Sequence, residues 1–239
     1  MREGRRIAVV IPARDEERAI GRVLAEVPAW VDRIVVCDNG SRDRTAEVAR
    51  AAGAIVAAET EAGYGAACLA GLRQIGDADI VVFLDGDYSD YPEDMALLVD
   101  PIVAGSADLV IGSRVLGERE AGSLTPQQRF GNWLATRLIR LFWGVRYTDL
   151  GPFRGISAPA LARLGMRDRT FGWTVEMQIK AAIAGLRSRE VAVRYRRRIG
   201  VSKISGTIKG TFKAGFKILG LIGRFALLPK PRSLDRASP

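Results

Sequence analysis

The stretch DIVVFLDGDYSDYPED, residues 79–94, joins an apolar run to two aspartates placed two residues apart, Asp85 and Asp87. The run is short and rich in β-branched residues, which is typical of a strand buried on both faces. Gly86, between the aspartates, lets the backbone approach a ligand closely. The stretch therefore predicts a buried strand that places two carboxylates at its carboxyl end.

Similar apolar runs alternate with helical periodicity through the first half of the chain. They predict strands at 7–11, 33–37, 54–58, 79–84 and 108–112, with helices between them at 44–52, 64–75 and 92–104 and a helical pattern from Ile20 to Val27. Buried strands separated by helices specify an α/β fold with a mostly parallel, Rossmann-like sheet flanked by helices. Such sheets bind ligands at the carboxyl ends of their strands.

The second half of the chain is less regular. Its patterns predict helices at 127–143 and 173–185, a turn-rich segment at 148–157, a strand at 190–195 and an amphipathic C-terminal helix at 207–228. We expect a catalytic domain at 1–205, a separate helix at 206–228 that contacts a membrane surface, and a disordered tail at 229–239.

Composition excludes several classes of protein. Of the 239 residues, 48% are hydrophobic and 26% are charged, which is typical of a folded soluble domain. No histidine occurs, so catalytic triads and histidine-ligated metals are excluded, and any catalysis must use carboxylates, lysine, arginine or a metal. Cys37 and Cys68 have no paired spacing. The first apolar run is too short for a secretory signal, so we expect a cytoplasmic protein.

The positive charge is concentrated in one segment. Residues 187–217 hold ten basic side chains and one acid, Glu190, which equals the net charge of +9 for the whole chain. This excess predicts an anionic partner. In the C-terminal helix, an apolar stripe lies beside the row Lys209, Lys213 and Lys217, which favours attachment to the inner face of the cell membrane. The alternative is a helix packed on the domain with its lysines in water.

The aspartate pair predicts a divalent metal. Mg²⁺ and Mn²⁺ prefer oxygen ligands and are commonly shared with substrate phosphates. The alternative is an acidic turn that caps the helix starting at Pro92, and Asp90 fits that role.

Eight segments, taken together, resemble the family 2 glycosyltransferases. They are, in order, VVIPARDEE, VCDNGSRDRT, GYGAACLAG, LDGDYSDYPE, DLVIGSR, TDLGPFRG, FGWTVEMQIKA and RRIGVSKISG, and they span about residues 6–205. The polyprenyl-phosphate sugar transferases, such as dolichyl-phosphate mannose synthase, are the most similar group. The resemblance implies a GT-A fold, a nucleotide-diphosphate sugar donor, Mg²⁺ or Mn²⁺ as cofactor, and inversion at the anomeric carbon.

The resemblance also implies roles for individual residues. It places seven residues at the donor: Pro12, Arg14, Glu16, Asp38, Gly65, Asp85 and Arg154. It makes Asp85 and Asp87 the metal ligands, and it places Arg154 and Glu176 toward the acceptor. The residues that it implies for catalysis are Asp87, Asp149, Glu176, Arg197 and Lys203.

Some of these assignments have plainer alternatives. Glu176 fits a solvated helix face, and Asp149 fits a turn cap. Asn39 stands where many relatives carry an aspartate, so it receives no role, and Ser89 stands where a further polar metal ligand is common. The neighbours Arg194, Arg196 and Arg198 are interpreted as surface or lipid-facing charges.

The resemblance implies a polyprenyl phosphate as acceptor, and the absence of histidine is compatible with it. A lipid phosphate is already anionic and needs no strong base, whereas a hydroxyl acceptor requires Glu176 or Asp149 to take its proton. No nucleic-acid partner is expected. A nucleotidyltransferase or an NAD-dependent enzyme is disfavoured, because the loop after the first strand, PARDEE, lacks glycine. A non-catalytic basic module that binds a membrane or nucleic acid is the remaining alternative.

Overall fold

A seven-stranded sheet forms the centre of the described part of the molecule. The computed structural model describes residues 1–200 and 208–227, with backbone only for 208–214. The strands are β1 (Ile7–Ala13), β2 (Arg33–Asp38), β3 (Ile55–Ala58), β4 (Ile80–Phe83), β5 (Leu109–Ser113), β6 (Arg154–Ser157) and β7 (Ser188–Ala192). The helices are α1 (Ile20–Glu26), α2 (Thr45–Ala51), α3 (Tyr64–Leu72), α4 (Met95–Val103), α5 (Pro126–Trp143), α6 (Ala158–Leu164), α7 (Trp173–Ile183) and α8 (Ile208–Leu227).

The strand order is β3-β2-β1-β4-β6-β5-β7, and all pairings are parallel except those of β6. The mostly parallel α/β sheet predicted from the sequence is confirmed. Strand β6, however, lies antiparallel between β4 and β5, within the segment predicted to be turn-rich. Its sequence RGIS has one large apolar residue, so periodicity gave no sign of it. A Cβ on residue 155 would press against α4, which explains why a glycine occupies this position of the strand.

Two apolar cores cover the two faces of the sheet. Because successive strand residues point to opposite faces, Val10 of β1 enters one core and its neighbours Val9 and Ile11 enter the other. Residues of α3, α5, α6, α7 and α8 pack in the first core, and residues of α1, α2 and α4 pack in the second. Helices α4 and α5 therefore lie on opposite faces of the sheet.

The C-terminal helix α8 packs on the domain. Ile222 is buried, and Ile218, Leu221 and Phe225 pack against the first core. Phe216 and Leu219 instead face outward. The predicted single apolar stripe, Ile208, Phe212, Phe216, Leu219, Ile222 and Ala226, is therefore wrong in its described half, because Phe216 and Ile222 lie on different sides. None of the helices in the described ranges is long and apolar enough to cross a membrane.

Candidate active site

The acidic loop follows β4, in the middle of the sheet. Asp87 is buried, and its Oδ1 accepts hydrogen bonds from the backbone nitrogen and the hydroxyl of Ser89, at 3.0 and 2.5 Å. Its Oδ2 lies 2.7 Å from Nη1 of Arg198. The loop thus holds one carboxylate in a fixed orientation against a single guanidinium.

Arg198, and not Arg197, faces the acidic loop. Residues 196–199 run beside 87–89, joined by hydrogen bonds from Arg196 N to Ser89 O and from Ile199 N to Asp87 O. The Arg197 side chain turns away and donates to the carbonyl of Ala121. The catalytic role of Arg197 stays a prediction, and its side chain does not contact the acidic loop in this structure. The interpretation of Arg198 as a surface charge is wrong, because it is ion-paired with Asp87.

Two other arginines of this segment are also paired. Arg196 donates to Glu26 and lies over the ring of Tyr88, 3.3 Å from its centroid. Arg194 forms an ion pair with Asp94. The Arg194 side chain is 43% exposed and is a surface charge, as the sequence suggested, whereas Arg196 is only 12% exposed and is largely enclosed by its partners. Lys203, which the resemblance also implies for catalysis, lies outside the described residues.

The carboxylates of the loop repel one another. Loss of hydration and the charge of Asp87 raise the pKa of Asp85 to about 7. Burial, Asp85 and Asp87 also raise the pKa of Asp90 well above its usual range. Burial opposes the charge of Arg198, but Asp87, Asp85 and Glu16 outweigh it and raise its pKa. Such a cluster of acids attracts a further cation.

Asp90 is more than the helix cap that the sequence suggested. It is buried; its Oδ2 lies 3.5 Å from the backbone nitrogen of Asp85, and its Oδ1 has no hydrogen-bond partner among the residues that the structure describes. Asp85 in turn accepts a hydrogen bond from the hydroxyl of Tyr64, at the start of α3, at 3.1 Å. Tyr64 was missed because a tyrosine at a helix start carries no recognisable signal.

The strand-end loops predicted to bind the donor lie next to one another. Ala13 pairs with Asp38 at the ends of β1 and β2, and Gly86 packs beside Pro12. The side chains of Arg14, Glu16 and Asp38 are partly exposed around this junction, and Asp38 accepts a hydrogen bond from the Ser41 nitrogen at 3.1 Å. The structure thus brings together Pro12, Arg14, Glu16, Asp38, Asp85 and Asp87.

Asn39 has a structural role. Its amide donates to the carbonyls of Glu59 and Glu61, at 3.1 and 2.7 Å, and accepts from the Gly63 nitrogen at 2.8 Å. It therefore joins the end of β2 to the glycine turn before α3. An aspartate here would lose both donated bonds, which explains why an amide occupies the position.

Gly65 is required by packing. A Cβ at Gly65 would overlap the carbonyl oxygen of Asp168, and one at Gly63 would overlap that of Arg169. The turn is thereby pressed against the loop before α7. Asp168 is buried there, and its Oδ2 lies 3.0 Å from Nζ of Lys217 in α8. The donor role of Gly65 stays a prediction, and its contacts point to loop packing.

Arg154 lies beneath the site rather than in it. Its side chain is fully buried and donates to the carbonyls of Gly151 and Thr174. Burial lowers its pKa to about 10. Its predicted contact with donor or acceptor stays a prediction, and its observed contacts are all within the protein. It fixes the turn before β6 against α7.

Asp149 is also held by internal partners. It is fully buried and forms a two-pronged ion pair with Arg114, at 2.8 and 2.7 Å. Burial opposes its charge, but Arg114 keeps its pKa below the usual range. A carboxylate with a lowered pKa and no exposed surface is a poor proton acceptor. The turn-cap alternative is closer to what the structure shows.

Glu176 is buried too, so the interpretation of α7 as having a solvated face at this position is wrong. Its carboxylate accepts from the backbone nitrogens of Arg167 and Asp168, and lies 2.7 Å from Nζ of Lys180. These bonds shape the loop that packs on the glycine turn. Its place in the acceptor site stays a prediction.

Asp85 and Asp87 fit a divalent cation of the type that is shared with a substrate. Within the ranges that the structure describes, no three or more Asp, Glu, His or Cys side chains form a metal-binding cluster. Mg²⁺ in phosphate-transferring sites is commonly held by one or two carboxylates and completes its shell with phosphate oxygens and water. The mutual repulsion of the carboxylates and the unpartnered Oδ1 of Asp90 are consistent with that arrangement.

The fold and the acidic loop define a glycosyltransferase of the GT-A type, and comparisons with known proteins agree. Residues 8–165 match the family model described as glycosyl transferase family 2. The chain belongs to this family. It is 37% identical over 213 residues to an uncharacterized glycosyltransferase of Mycobacterium tuberculosis, covering 88% of this chain and 95% of that one.

Two further proteins extend the comparison. A dolichyl-phosphate hexose transferase of Haloferax volcanii is 32% identical over 201 residues, covering 83% of this chain and 86% of that one. Glucosyl-3-phosphoglycerate synthase from M. tuberculosis, solved with Mn²⁺, UDP and glucosyl-3-phosphoglycerate, has a TM-score of 0.76 at 22% identity. The match covers 95% of this chain and 81% of that one, and it shows a shared fold.

Proposed function

We propose that this glycosyltransferase is a metal-dependent, inverting enzyme that moves a sugar from a nucleotide-diphosphate donor to a polyprenyl phosphate at a membrane surface. The main support for a nucleotide-diphosphate donor is the acidic loop at the carboxyl end of β4. There, Asp87 is fixed by Ser89 and faces Arg198. Paired carboxylates next to a guanidinium suit a metal-bound diphosphate.

The donor-side roles follow from position. Asp85 and Asp87 would hold Mg²⁺ or Mn²⁺, which when bound neutralises the leaving diphosphate. Arg198 is placed to take a phosphate oxygen once Asp87 has another cation. Pro12, Arg14, Glu16 and Asp38 surround the junction of β1 and β2, where the nucleotide would lie. The M. tuberculosis glucosyl-3-phosphoglycerate synthase structure, which contains Mn²⁺ and UDP, supports a metal-bound nucleotide diphosphate here.

A phosphate acceptor is supported by the internal partners of the two carboxylates that a hydroxyl acceptor would need as a base. Asp149 is paired with Arg114, and Glu176 accepts two backbone hydrogen bonds and contacts Lys180. An anionic phosphate oxygen can attack the anomeric carbon without losing a proton, so neither carboxylate is needed. The name of the Haloferax relative, a dolichyl-phosphate hexose transferase, points to the same acceptor class.

The test is a transfer assay with the purified protein. A panel of nucleotide-diphosphate sugars would be incubated with Mn²⁺, with and without polyprenyl phosphate, and both the glycolipid and the nucleotide diphosphate would be measured. We expect glycolipid with at least one donor, loss of turnover with chelator, and loss in Asp87→Ala. Asp100→Ala, which changes an exposed aspartate on α4, is the matched control.

Two results would overturn parts of the proposal. Full turnover by Asp87→Ala with Mn²⁺ present would remove the metal assignment. Efficient transfer to a free hydroxyl compound, and none to polyprenyl phosphate, would replace the acceptor.

A further inference from the structure

Helix α5 carries large apolar side chains on its outer face. Phe130, Trp133 and Leu141 are 61%, 51% and 73% exposed. They recur at helical spacing together with Arg137 and Arg140, so these five residues share one side of the helix. We call this set the α5 outer face. Contiguous exposed apolar surface of this kind marks a site of contact with a partner or a membrane.

The fold does not require these side chains. Helix α5 joins the first core through Ala135 and Ile139, on its opposite side. Its ends are fixed independently: Thr125 and Gln128 form a capping box, and Gly144, with a φ of 74°, ends the helix. Polar residues on the outer face would leave these contacts intact. Among the residues that the structure describes, no contact accounts for the exposed rings, which is why we look for a partner of this face.

The charged side chains of α5 and of the residues around it are all positive. Residues 121–148 contain four arginines, Arg129, Arg137, Arg140 and Arg146, and no aspartate or glutamate. All four are exposed. The guanidinium of Arg137 lies 5.9 Å from the centre of the Trp133 ring, and the ring of Phe130 lies 5.9 Å from that ring. Aromatic rings and leucine interleaved with arginines, without acids, are typical of helices that lie in the interface of an anionic bilayer.

A neighbouring helix adds to the apolar surface. Helix α8 packs against α5 and exposes Phe216 and Leu219, while Arg224 is also exposed. Its Lys217 is held by Asp168. Helix α5 therefore supplies most of the exposed apolar and basic surface, and α8 adds to the same surface.

We infer that the α5 outer face lies on the surface of an anionic lipid bilayer, with Phe130, Trp133 and Leu141 at the boundary between headgroups and acyl chains. A second copy of the chain fits less well, because a two-fold contact would bring the same arginines of both copies together. The inference rests on the proposed function only in explaining why the enzyme would bind a membrane, namely to reach a lipid-borne acceptor. Binding to lipid is measurable without any sugar transfer.

The experiment is co-sedimentation of the full chain with vesicles that contain neither polyprenyl phosphate nor donor. Vesicles of phosphatidylcholine with phosphatidylglycerol would be compared with pure phosphatidylcholine. We expect binding to the anionic vesicles, weakened by salt. The double variant Phe130→Ser/Trp133→Ser should lower the partition coefficient at least ten-fold, since two partly exposed rings would leave the interface. Arg137→Gln should lower it by roughly five-fold, as expected for one basic residue near the membrane.

Leu97→Ser is the matched control. Leu97 is 46% exposed on α4, which packs on the other face of the sheet, so its loss should leave vesicle binding unchanged. Circular dichroism and the melting temperature would verify that all variants are folded. Turnover with a short, water-soluble polyprenyl phosphate should stay within two-fold of wild type in the α5 variants, which separates lipid docking from catalysis.

Three outcomes would overturn the inference. One is no binding of the wild type to anionic vesicles. Another is equal binding by wild type and the double variant, which would move the contact elsewhere. The third is a stable dimer that the double variant dissociates while no form binds vesicles, which would assign the α5 outer face to a second copy.

Discussion

Replacing Arg198 by Gln should tighten the binding of Mn²⁺ to the enzyme in the absence of donor. In the structure, the Arg198 guanidinium lies 2.7 Å from Asp87 and is the cation that neutralises this carboxylate. A metal ion that binds Asp87 has to displace it. Gln keeps much of the length and polarity but removes the competing charge. The same change should lower turnover, because Arg198 would no longer be available to the leaving diphosphate.

The expected gain in Mn²⁺ affinity can be worked out from the distance and the exposure of the Arg198–Asp87 ion pair. At 2.7 Å, two unit charges attract by about 6 kcal/mol at an effective dielectric constant of about 20. Most of this attraction is offset by the lost hydration of both groups, and Arg198 is still 27% exposed. A net value of about 1.5 kcal/mol is typical of a hydrogen bond to a charged group, which corresponds to about ten-fold tighter Mn²⁺ binding.

The assay is a titration of the protein with Mn²⁺, in which free ion is read from its electron paramagnetic resonance signal. Arg197→Gln is the matched control, since the neighbouring guanidinium contacts the Ala121 carbonyl and should not compete for Asp87. Weaker or unchanged Mn²⁺ binding in Arg198→Gln, with the fold intact, would refute the reasoning. So would an equal gain in Arg197→Gln, because the effect would then come from net charge alone.

Three other changes test the scaffold. Asp149→Asn breaks the buried ion pair with Arg114 and should lower the free energy of unfolding by about 3 to 5 kcal/mol. Calorimetry should show this as a drop of roughly 10 °C in melting temperature, and a drop below about 1 °C would contradict it. Gly65→Ala forces a methyl group against the Asp168 carbonyl and should cost about 1 to 3 kcal/mol in a urea titration, whereas Gly131→Ala, in open space on α5, should not destabilise the protein. Glu176→Gln should retain substantial turnover with a polyprenyl phosphate; a loss of about 10² to 10⁴-fold would identify it as a base.

The parts of the fold that the sequence predicted are those with strong periodicity. Strands β1, β2, β4 and β5 are apolar on both faces, and their runs end within two residues of the observed bounds. Strand β6 and helix α6 were missed because their stretch, RGISAPALARL, follows a turn and is short and rich in small residues.

Within the basic segment, the sequence could not indicate which arginine contacts the acidic loop. The neighbouring side chains of Arg197 and Arg198 have different partners, the Ala121 carbonyl and the Asp87 carboxylate. Sequence order alone cannot choose between them, and the choice depends on the backbone pairing of 196–199 with 87–89. In the same way, the Arg114–Asp149 pair joins residues 35 apart, and no local pattern indicates it.

The antiparallel strand β6 has a consequence for how the chain is synthesised. Strand β4 is flanked by β1, which leaves the ribosome before it, and by β6, which follows about 70 residues later. Until residues 154–157 emerge, one edge of a strand composed of Ile80, Val81, Val82 and Phe83 has no partner. Open apolar edges of this kind recruit other strands. A nascent or truncated chain that stops before β6 should therefore aggregate or depend on chaperones, whereas one that extends past α6 has both neighbours of β4 in place.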